Sequence, residues 1–372
     1  MRITGEYEQL GNLDYFIPHK LPPSPTIDMD SEMIALLTDA SFHLGCLNEM
    51  SHRVPNADRF IKAYVIKEAL LSSEIEGIHT TLLNVFTTPT VDNQYDYDTR
   101  LVMNYTKAIN VAVSMIKNDG FPIVTRVFLK AHEALMTVEN SSKSSPGEFR
   151  QQSVRVGDLV PPPAHKIPYL ISDLENYINQ NDDLPELIKI GLTHVQFETI
   201  HPFLDGNGRI GRLLIVLMLV NSGYLDAPIL YPSYYFKKYK STYYEKLRNV
   251  QLSGDFEGWI KFYLAAIKES CISACRRAKE IEQLDGDLRE AILKDKAFSR
   301  IHEVALQVLS AFFDAPILGI KDLSETVDKS YNTVKAVIFR FLEMGIITER
   351  TNQKRNKLYC LTSYLNILEE DF

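Results

Sequence analysis

The sequence predicts a mainly α-helical protein that carries one short β-hairpin and ends in a winged helix-turn-helix domain. Three observations lead there. Long stretches before residue 110, and again between 184 and 224, repeat apolar residues at helical spacing. One central stretch, "SVRVGDLVPPP" (153–163), alternates as a strand does. After residue 295 two helical stretches separated by a turn precede two strand-like pieces.

The elements follow in order. "HKLPPSPTID" (19–28) is a proline-rich connector. "PNADRFIKAYVIKEALLSSEIEG" (55–77) predicts one helix, with Pro55 near its start and Gly77 as its stop. Asp92 to Asp98 is polar and predicts a loop, leading into the helix "RLVMNYTKAINVAVSMI". In the hairpin Val154 and Val156 alternate, Gly157-Asp158 supplies the turn, and prolines follow. "LPELIKIGLTHVQFETI" (184–200) and "RIGRLLIVLMLVNSGY" (209–224) predict two helices, apolar on most faces and therefore central. The C-terminal part gives a short helix, a turn at Asp328–Ser330, a longer helix, and two strands separated by "TNQKRNK". The expected domains are a helical region over 1–110, a core over 111–285 and the winged helix over 295–372.

Size and composition narrow the function. The chain has 372 residues, a net charge of −8 and 45% hydrophobic residues, enough for a sizeable core. The acidic balance argues against nucleic-acid binding over the whole surface but leaves a local basic patch open. The cysteines, at 46, 271, 275 and 360, form no CxxC pair, and two thiols on one helix face make a poor zinc site. Cysteine usage and an N-terminus lacking a basic head before an apolar stretch predict a reduced, cytosolic protein. The longest apolar run, "LLIVLMLV" (213–220), falls far short of the ~20 residues a bilayer-spanning helix requires, so no membrane association is expected.

Between the two central helices stands "HPFLDGNGRIGR" (201–212). Gly206, Gly208 and Gly211 satisfy GxGxxG, but a dinucleotide fingerprint requires a preceding strand, and here a helix precedes. A Walker A loop fails because no GK[ST] follows. The physical reading is an anion cradle: glycines let backbone N–H groups approach an anion, and the loop empties into a helix N-terminus. Arg209 and Arg212 in that helix's first turns oppose its dipole unless an anion arrives, and guanidinium groups suit a polyphosphate. Asp205 supplies one carboxylate, as Mg²⁺ bound to substrate phosphates needs. His201 can act as a general base near neutral pH.

This loop resembles the signature of the Fic family, HxFx[DE]GNGRxxR, at every specified position. That family transfers AMP from ATP to protein hydroxyls. The similarity extends through "PGEFRQQSVRVGD", "PPPAHKIPYLISDL" and "YPSYYFKKYKSTYYEKL", over roughly residues 60 to 265. The resemblance implies a Fic-type helical bundle with the 153–160 hairpin as its flap, docking the target protein as an added strand. It implies His201 as the base, Asp205 as the Mg²⁺ ligand, Gly206, Asn207 and Gly208 around the phosphates, and Arg209 and Arg212 neutralising them. It further implies nucleotide contacts from Val156 and Gly157 in the flap, and from Tyr243 and Gln251 near the adenine. The sequence departs at Gln251 and Tyr239, where asparagine is common, so adenine selectivity is less defined than the phosphate chemistry.

"SSEIEG" (72–77) has the form [ST]xxxE[GN], with Ser72, Glu76 and Gly77 in the specified places. In the Fic family this marks an inhibitory helix whose glutamate pairs with the second signature arginine, here Arg212. Independently, acids in the last turn of one helix and arginines in the first turn of another are each unfavourable alone, and bringing Glu76 to Arg212 relieves both. The leading expectation is an autoinhibited protein adenylyltransferase using ATP and Mg²⁺. Alternatives are removal of AMP from a modified protein, transfer of another phosphate-containing group, or a DNA-binding regulator that senses nucleotide. DNA as a partner of the winged helix, through "RTNQKRNK" (350–357), and a homodimer both stay open.

Overall fold

A computed structural model describes residues 2–53, 57–87, 96–137, 145–351 and 357–370. The chain begins with strands β1 (Gly5–Leu10) and β2 (Leu13–Pro18). Helices α1 (Ser31–Arg53), α2 (Ala57–Ile75), α3 (Leu82–Phe86), α4 (Tyr97–Lys117), α5 (Thr125–Met136) and α6 (Ile167–Asn179) follow. Then come α7 (Glu186–Ile200), α8 (Asn207–Asn221), α9 (Ser233–Lys238), α10 (Lys240–Ser253) and α11 (Phe256–Lys294). The remainder is α12 (His302–Asp314), β3 (Ile317–Gly319), α13 (Ile320–Thr326), α14 (Tyr331–Glu343), β4 (Thr348–Glu349), β5 (Leu358–Cys360) and α15 (Thr362–Glu369). The chain divides into two compact units, one of Met1–His52, Tyr64–His79 and Arg100–Ala274, the other of Arg53–Ala63, Thr80–Thr99 and Cys275–Phe372.

The first unit is a helical body around α7 and α8, which pack against each other. Every residue of α8 from Ile210 to Val220 is buried, and in α7 only Glu186 and Glu198 are not. Such helices are apolar on all sides because they have neighbours on all sides. Each Leu, Ile or Val so buried contributes about 1.5–3 kcal/mol. The sequence reading had no N-terminal hairpin, yet β1 and β2 pair antiparallel from Gly5↔Pro18 to Leu10↔Leu13. The signal was present: Gly11-Asn12 is a two-residue hairpin turn between alternating residues, and Gly11 adopts φ 63°. The expected hairpin at 153–160 narrows to a single bridge, Val156↔Leu159. Prolines 161–163 lack the N–H groups that would extend the ladder.

The second unit places α12, β3, α13, α14, β4 and β5 in that order, with an antiparallel sheet in the order β3-β5-β4. Ile317 and Thr348 both pair with Cys360, from opposite sides of β5. Helices α12, α13 and α14 pack together through buried Leu309, Phe312, Leu323, Val337 and Phe341. Asp328 turns the chain with φ 50°, and the Ser330 side chain caps α14 by accepting from the Thr333 N–H at 3.2 Å. Pro55, Asp92 to Tyr95 and most of the basic stretch 350–357 lie outside the described residues. Among the described residues no helix is long and apolar enough to cross a membrane.

Candidate functional site

The connection between α7 and α8 is a turn built from two left-handed residues. His201 ends α7 with φ 50° and ψ 61°, and Gly206 precedes α8 with φ 80°. A histidine in this region is strained, as is common where a side chain must be aimed. Between them the loop is clamped internally: the Asn207 side chain accepts from Phe203 N–H and donates to Phe203 C=O, both at 2.8 Å. His132 of α5 adds a second clamp. Its Nδ1 accepts from the Gly147 N–H at 3.0 Å, so the ring proton sits on Nε2 and is donated to the Asp205 carbonyl at 3.0 Å. The ring stacks on Phe203 at 3.8 Å, and burial pushes its pKa down to about 4, which keeps it neutral.

Both signature arginines are buried beneath this loop, and they differ in their partners. Arg212 is 1% exposed and tied to α2 and its cap: Nε donates to Ser72 Oγ at 2.8 Å, and Nη2 to the Ser72 carbonyl at 2.9 Å and to Glu76 Oε1 at 2.7 Å. Arg209 is 2% exposed, and its Nε and Nη1 have no acceptor among the described residues. Its nearest carboxylate, Asp205, lies 3.6 Å away. Burial lowers the pKa of Arg209, partly offset by Asp205 and Glu76. A buried donor without an acceptor costs about 1–3 kcal/mol, more when charged. An anion with several oxygens would satisfy both nitrogens.

The end of α2 explains how Glu76 reaches this place. Ile78 N–H bonds to Ser73 C=O and Gly77 N–H to Glu74 C=O, both at 3.1 Å, which is the Schellman arrangement. It requires a left-handed residue after the cap, and Gly77 supplies it with φ 80°. Glu76 is therefore the cap residue, and its carboxylate lies against Gly208 so closely that a Cβ there would collide with Oε1. An acid thus rests on the first turn of α8, where the helix dipole favours negative charge. Burial would raise the Glu76 pKa, but the Arg212 charge and hydrogen bond outweigh it and hold the carboxyl below its ordinary value. The neighbouring Glu74 pairs with Lys237.

His201 is half-buried, and its Nδ1 has no hydrogen-bond partner among the described residues. Burial pushes its pKa down to about 4, so the ring is in the form that accepts a proton. The Asp205 side chain is 67% exposed, with Oδ1 accepting from the Gly206 N–H at 2.6 Å. No group of three or more His, Cys, Asp or Glu able to hold a metal occurs among the described residues. A single exposed carboxylate beside an anion cradle fits Mg²⁺, which takes most of its ligands from phosphates and water.

The structure thus brings together Ser72, Glu76, Gly77, His201, Asp205, Gly206, Asn207, Gly208, Arg209 and Arg212. Other candidates make their contacts elsewhere. Val156 is exposed at the flap, Gly157 turns it with φ 58°, and Asp158 pairs with Arg248 at 2.5 Å. The Gln251 amide donates to Thr199 Oγ1 at 3.2 Å. Tyr243 is buried, and its hydroxyl meets Nε2 of His194 at 2.9 Å. Since His194 Nδ1 must donate to the Gly211 carbonyl at 2.8 Å, the tyrosine is the donor. Tyr244 is the half-open phenol here; burial first, then the charge of Glu76, raises its pKa to about 12. His132 and His194 escaped the sequence reading, although each falls on a buried helix face where a histidine needs a partner.

Glu198, facing Gly211, was also missed. Its Oε1 is buried without a hydrogen-bond partner among the described residues, and burial pushes its pKa up to about 8 from an ordinary 4.5. The folded protein therefore keeps this proton through neutral pH while the unfolded chain loses it. The stabilisation is complete below about pH 4.5 and is lost as pH rises through about 8. Glu198→Gln keeps the shape and cannot ionise. Its melting temperature relative to wild type should rise between about pH 4.5 and about pH 8 and level off above. A pH-independent difference would refute that protonation state.

Residues 122–219 match the Fic/DOC family, and residues 34–114 match the Fic/DOC family N-terminal domain. The protein adenylyltransferase Fic of Drosophila grimshawi is 36% identical over 118 residues, covering 31% of this chain and 23% of that protein. The Drosophila melanogaster protein of the same name is 34% identical over 118 residues, with 31% and 23% covered. The match spans under a quarter of these relatives' length. Among solved structures, a Fic family protein from Desulfovibrio desulfuricans G20 aligns with TM-score 0.56 and 22% identity, covering 90% of this chain and 97% of that one. Caenorhabditis elegans Fic-1 (residues 134–508) aligns with TM-score 0.53 and 17% identity, covering 66% and 73%. These likenesses concern the fold.

Proposed function

We propose that this chain, a member of the Fic/DOC family that is similar over 118 residues to proteins named adenylyltransferases, transfers AMP from ATP to a hydroxyl of a target protein and is restrained by its own Glu76. The observation that carries this reading is Arg209, buried with Nε and Nη1 lacking acceptors beside the N-terminus of α8. Phosphate oxygens are the natural acceptors there. Asp205 would hold Mg²⁺, which would supply positive charge against the phosphates. The hydroxyl oxygen bonds to the α-phosphorus, the bond to the bridging oxygen breaks and pyrophosphate leaves. The hydroxyl proton passes to His201. Arg209 and Arg212 offset the charge that develops on the phosphate oxygens, and such positioned charge supplies most of the catalysis in this chemistry.

In this reading the target lies along the flap at 153–160, and the chain comprises an inhibitory region over 1–110, the catalytic core over 111–285 and a winged helix over 295–372. The test is mass spectrometry of the Glu76→Gly protein incubated with MgATP. The expected result is addition of one AMP to its own hydroxyls or to those of added proteins. Protein that binds MgATP yet yields no adduct on any acceptor would refute the reading.

A second reading concerns the C-terminal unit alone. The arrangement of α12, α13 and α14 with a three-stranded sheet suits DNA, but α14 exposes Tyr331, Asn332, Lys335, Ala336 and Phe339. Arg340 is tied to Asp295 and Glu343 at 2.6 and 2.7 Å. On α14 the phosphate-binding capacity therefore rests on Lys335, beside the exposed Lys321 and Lys329. If this unit binds DNA, affinity falls with a shallow salt slope, corresponding to few phosphates. No retardation of any duplex at low salt would remove this reading.

A further inference from the structure

Arg150 is a buried arginine with no carboxylate partner among the described residues: it is 2% exposed, and every acceptor it meets is a main-chain carbonyl. Its Nε donates to the His201 carbonyl at 2.8 Å, and Nη2 reaches the Ile200 carbonyl at 3.5 Å. The same side chain donates through Nη1 to the Gln152 carbonyl at 3.0 Å and through Nη2 to the Pro162 carbonyl at 2.6 Å. Its own N–H bonds to the Pro202 carbonyl at 2.9 Å. Gln152 and Pro162 are the two stems of the flap, and Ile200 to Pro202 is the end of α7 with the candidate base.

Two physical consequences follow. The last carbonyls of α7 lack helical partners and sit at the negative end of its dipole, so a guanidinium there is favourable and compensates the left-handed turn at His201. A planar fork can hold separate carbonyls in a fixed geometry, which a lysine, with one mobile ammonium, cannot. The flap has further props on the opposite side. Tyr15 hydroxyl and Ser153 Oγ lie 2.6 Å apart, and Phe16 N–H donates to the Val160 carbonyl at 2.9 Å. Those contacts reach the flap without touching the His201 turn. Among these contacts the Arg150 N–H bond to Pro202 ties one stem to the His201 turn, and only the Arg150 guanidinium ties both stems to it.

We propose that Arg150 is a positioning residue that fixes the flap stems and the His201 turn as one rigid piece, so that a hydroxyl presented on the flap meets the imidazole in register. This rests on the transferase reading for its chemical consequence but not for its mechanical one. Arg150 does not touch the anion cradle at the start of α8, so the phosphate contacts made there do not depend on it.

The experiment uses the full chain carrying Glu76→Gly, with and without Arg150→Lys or Tyr15→Phe. Arg150→Lys should lower AMP incorporation from α-labelled ATP about tenfold or more, into both its own chain and added lysate proteins. The MgATP dissociation constant should stay within about twofold by calorimetry. Amide hydrogen exchange should accelerate in 153–160 and 199–203 together with Arg150→Lys, but in 153–160 alone with Tyr15→Phe. Acceleration of only one segment with Arg150→Lys, or incorporation within about twofold of the parent, would overturn the proposal. If Arg150→Lys does not fold, the unmutated protein decides: both segments should lose protection at one urea concentration, and separate openings would overturn the proposal. A parent that transfers no AMP to anything refutes the transferase reading, while the exchange result still stands or falls separately.

Discussion

Glu76→Gly raises the initial rate of AMP transfer by roughly ten- to a hundredfold. The bond removed is a charge-assisted one at 2.7 Å, between an arginine that is 1% exposed and a glutamate side chain that is 33% exposed. Hydrogen bonds to charged groups are worth about 1.5–3 kcal/mol, and each 1.4 kcal/mol is a factor of ten. A fully exposed pair would give only about 0–1 kcal/mol and could not keep most molecules closed. Holding ~99% of them closed takes about 2.7 kcal/mol, within reach of this pair only because one side of it is dry. Glu76→Gln separates two causes. If the charge pair restrains the enzyme, Gln activates nearly as well as Gly. If the side chain acts by covering Gly208, Gln stays inhibited. Equal incorporation from α-labelled ATP by wild type and Glu76→Gly would end the autoinhibition proposal.

His201→Ala, placed in the Glu76→Gly background, lowers transfer by about 10²- to 10⁴-fold, the ordinary contribution of a positioned base. MgATP affinity stays within about twofold, because the cradle is made by α8 and Arg209 rather than by the imidazole. The pH profile adds a check with a defined direction. Burial holds the His201 pKa near about 4, so the free enzyme retains a neutral base well below the pH at which an ordinary histidine is charged. The acid limb of kcat/KM in the Glu76→Gly enzyme should therefore fall below about pH 5. A limb near 6.5 would show that the imidazole keeps its ordinary pKa, whereas full activity in His201→Ala would exclude it as the base.

Much of the site could be read from residues 201–212 because they are adjacent in sequence, and the loop chemistry depends on local geometry. The helix over 55–77 was legible for the same reason: Glu76-Gly77 encodes its own stop, and a Schellman turn needs nothing distant. What the sequence hid was long-range. Arg150 meets carbonyls from three separate segments, and no spacing rule connects residue 150 with 162 and 201. His132 and His194 look like core histidines, and their partners Gly147, Asp205, Gly211 and Tyr243 come from elements far along the chain. The N-terminal strands were missed although Gly11-Asn12 announced them. The flap was expected as a longer ladder than three consecutive prolines permit.

Ser72 gives Arg212 two of its three bonds to α2, and neither depends on Glu76. Under the proposed restraint the segment would therefore stay moored when the acidic tip lets go, with the arginine beneath it still aimed. Activation would then be a change of rotamer rather than a melting of secondary structure. An activating partner would have to capture one carboxylate for a moment, and restraint would return without any refolding as soon as that partner departs.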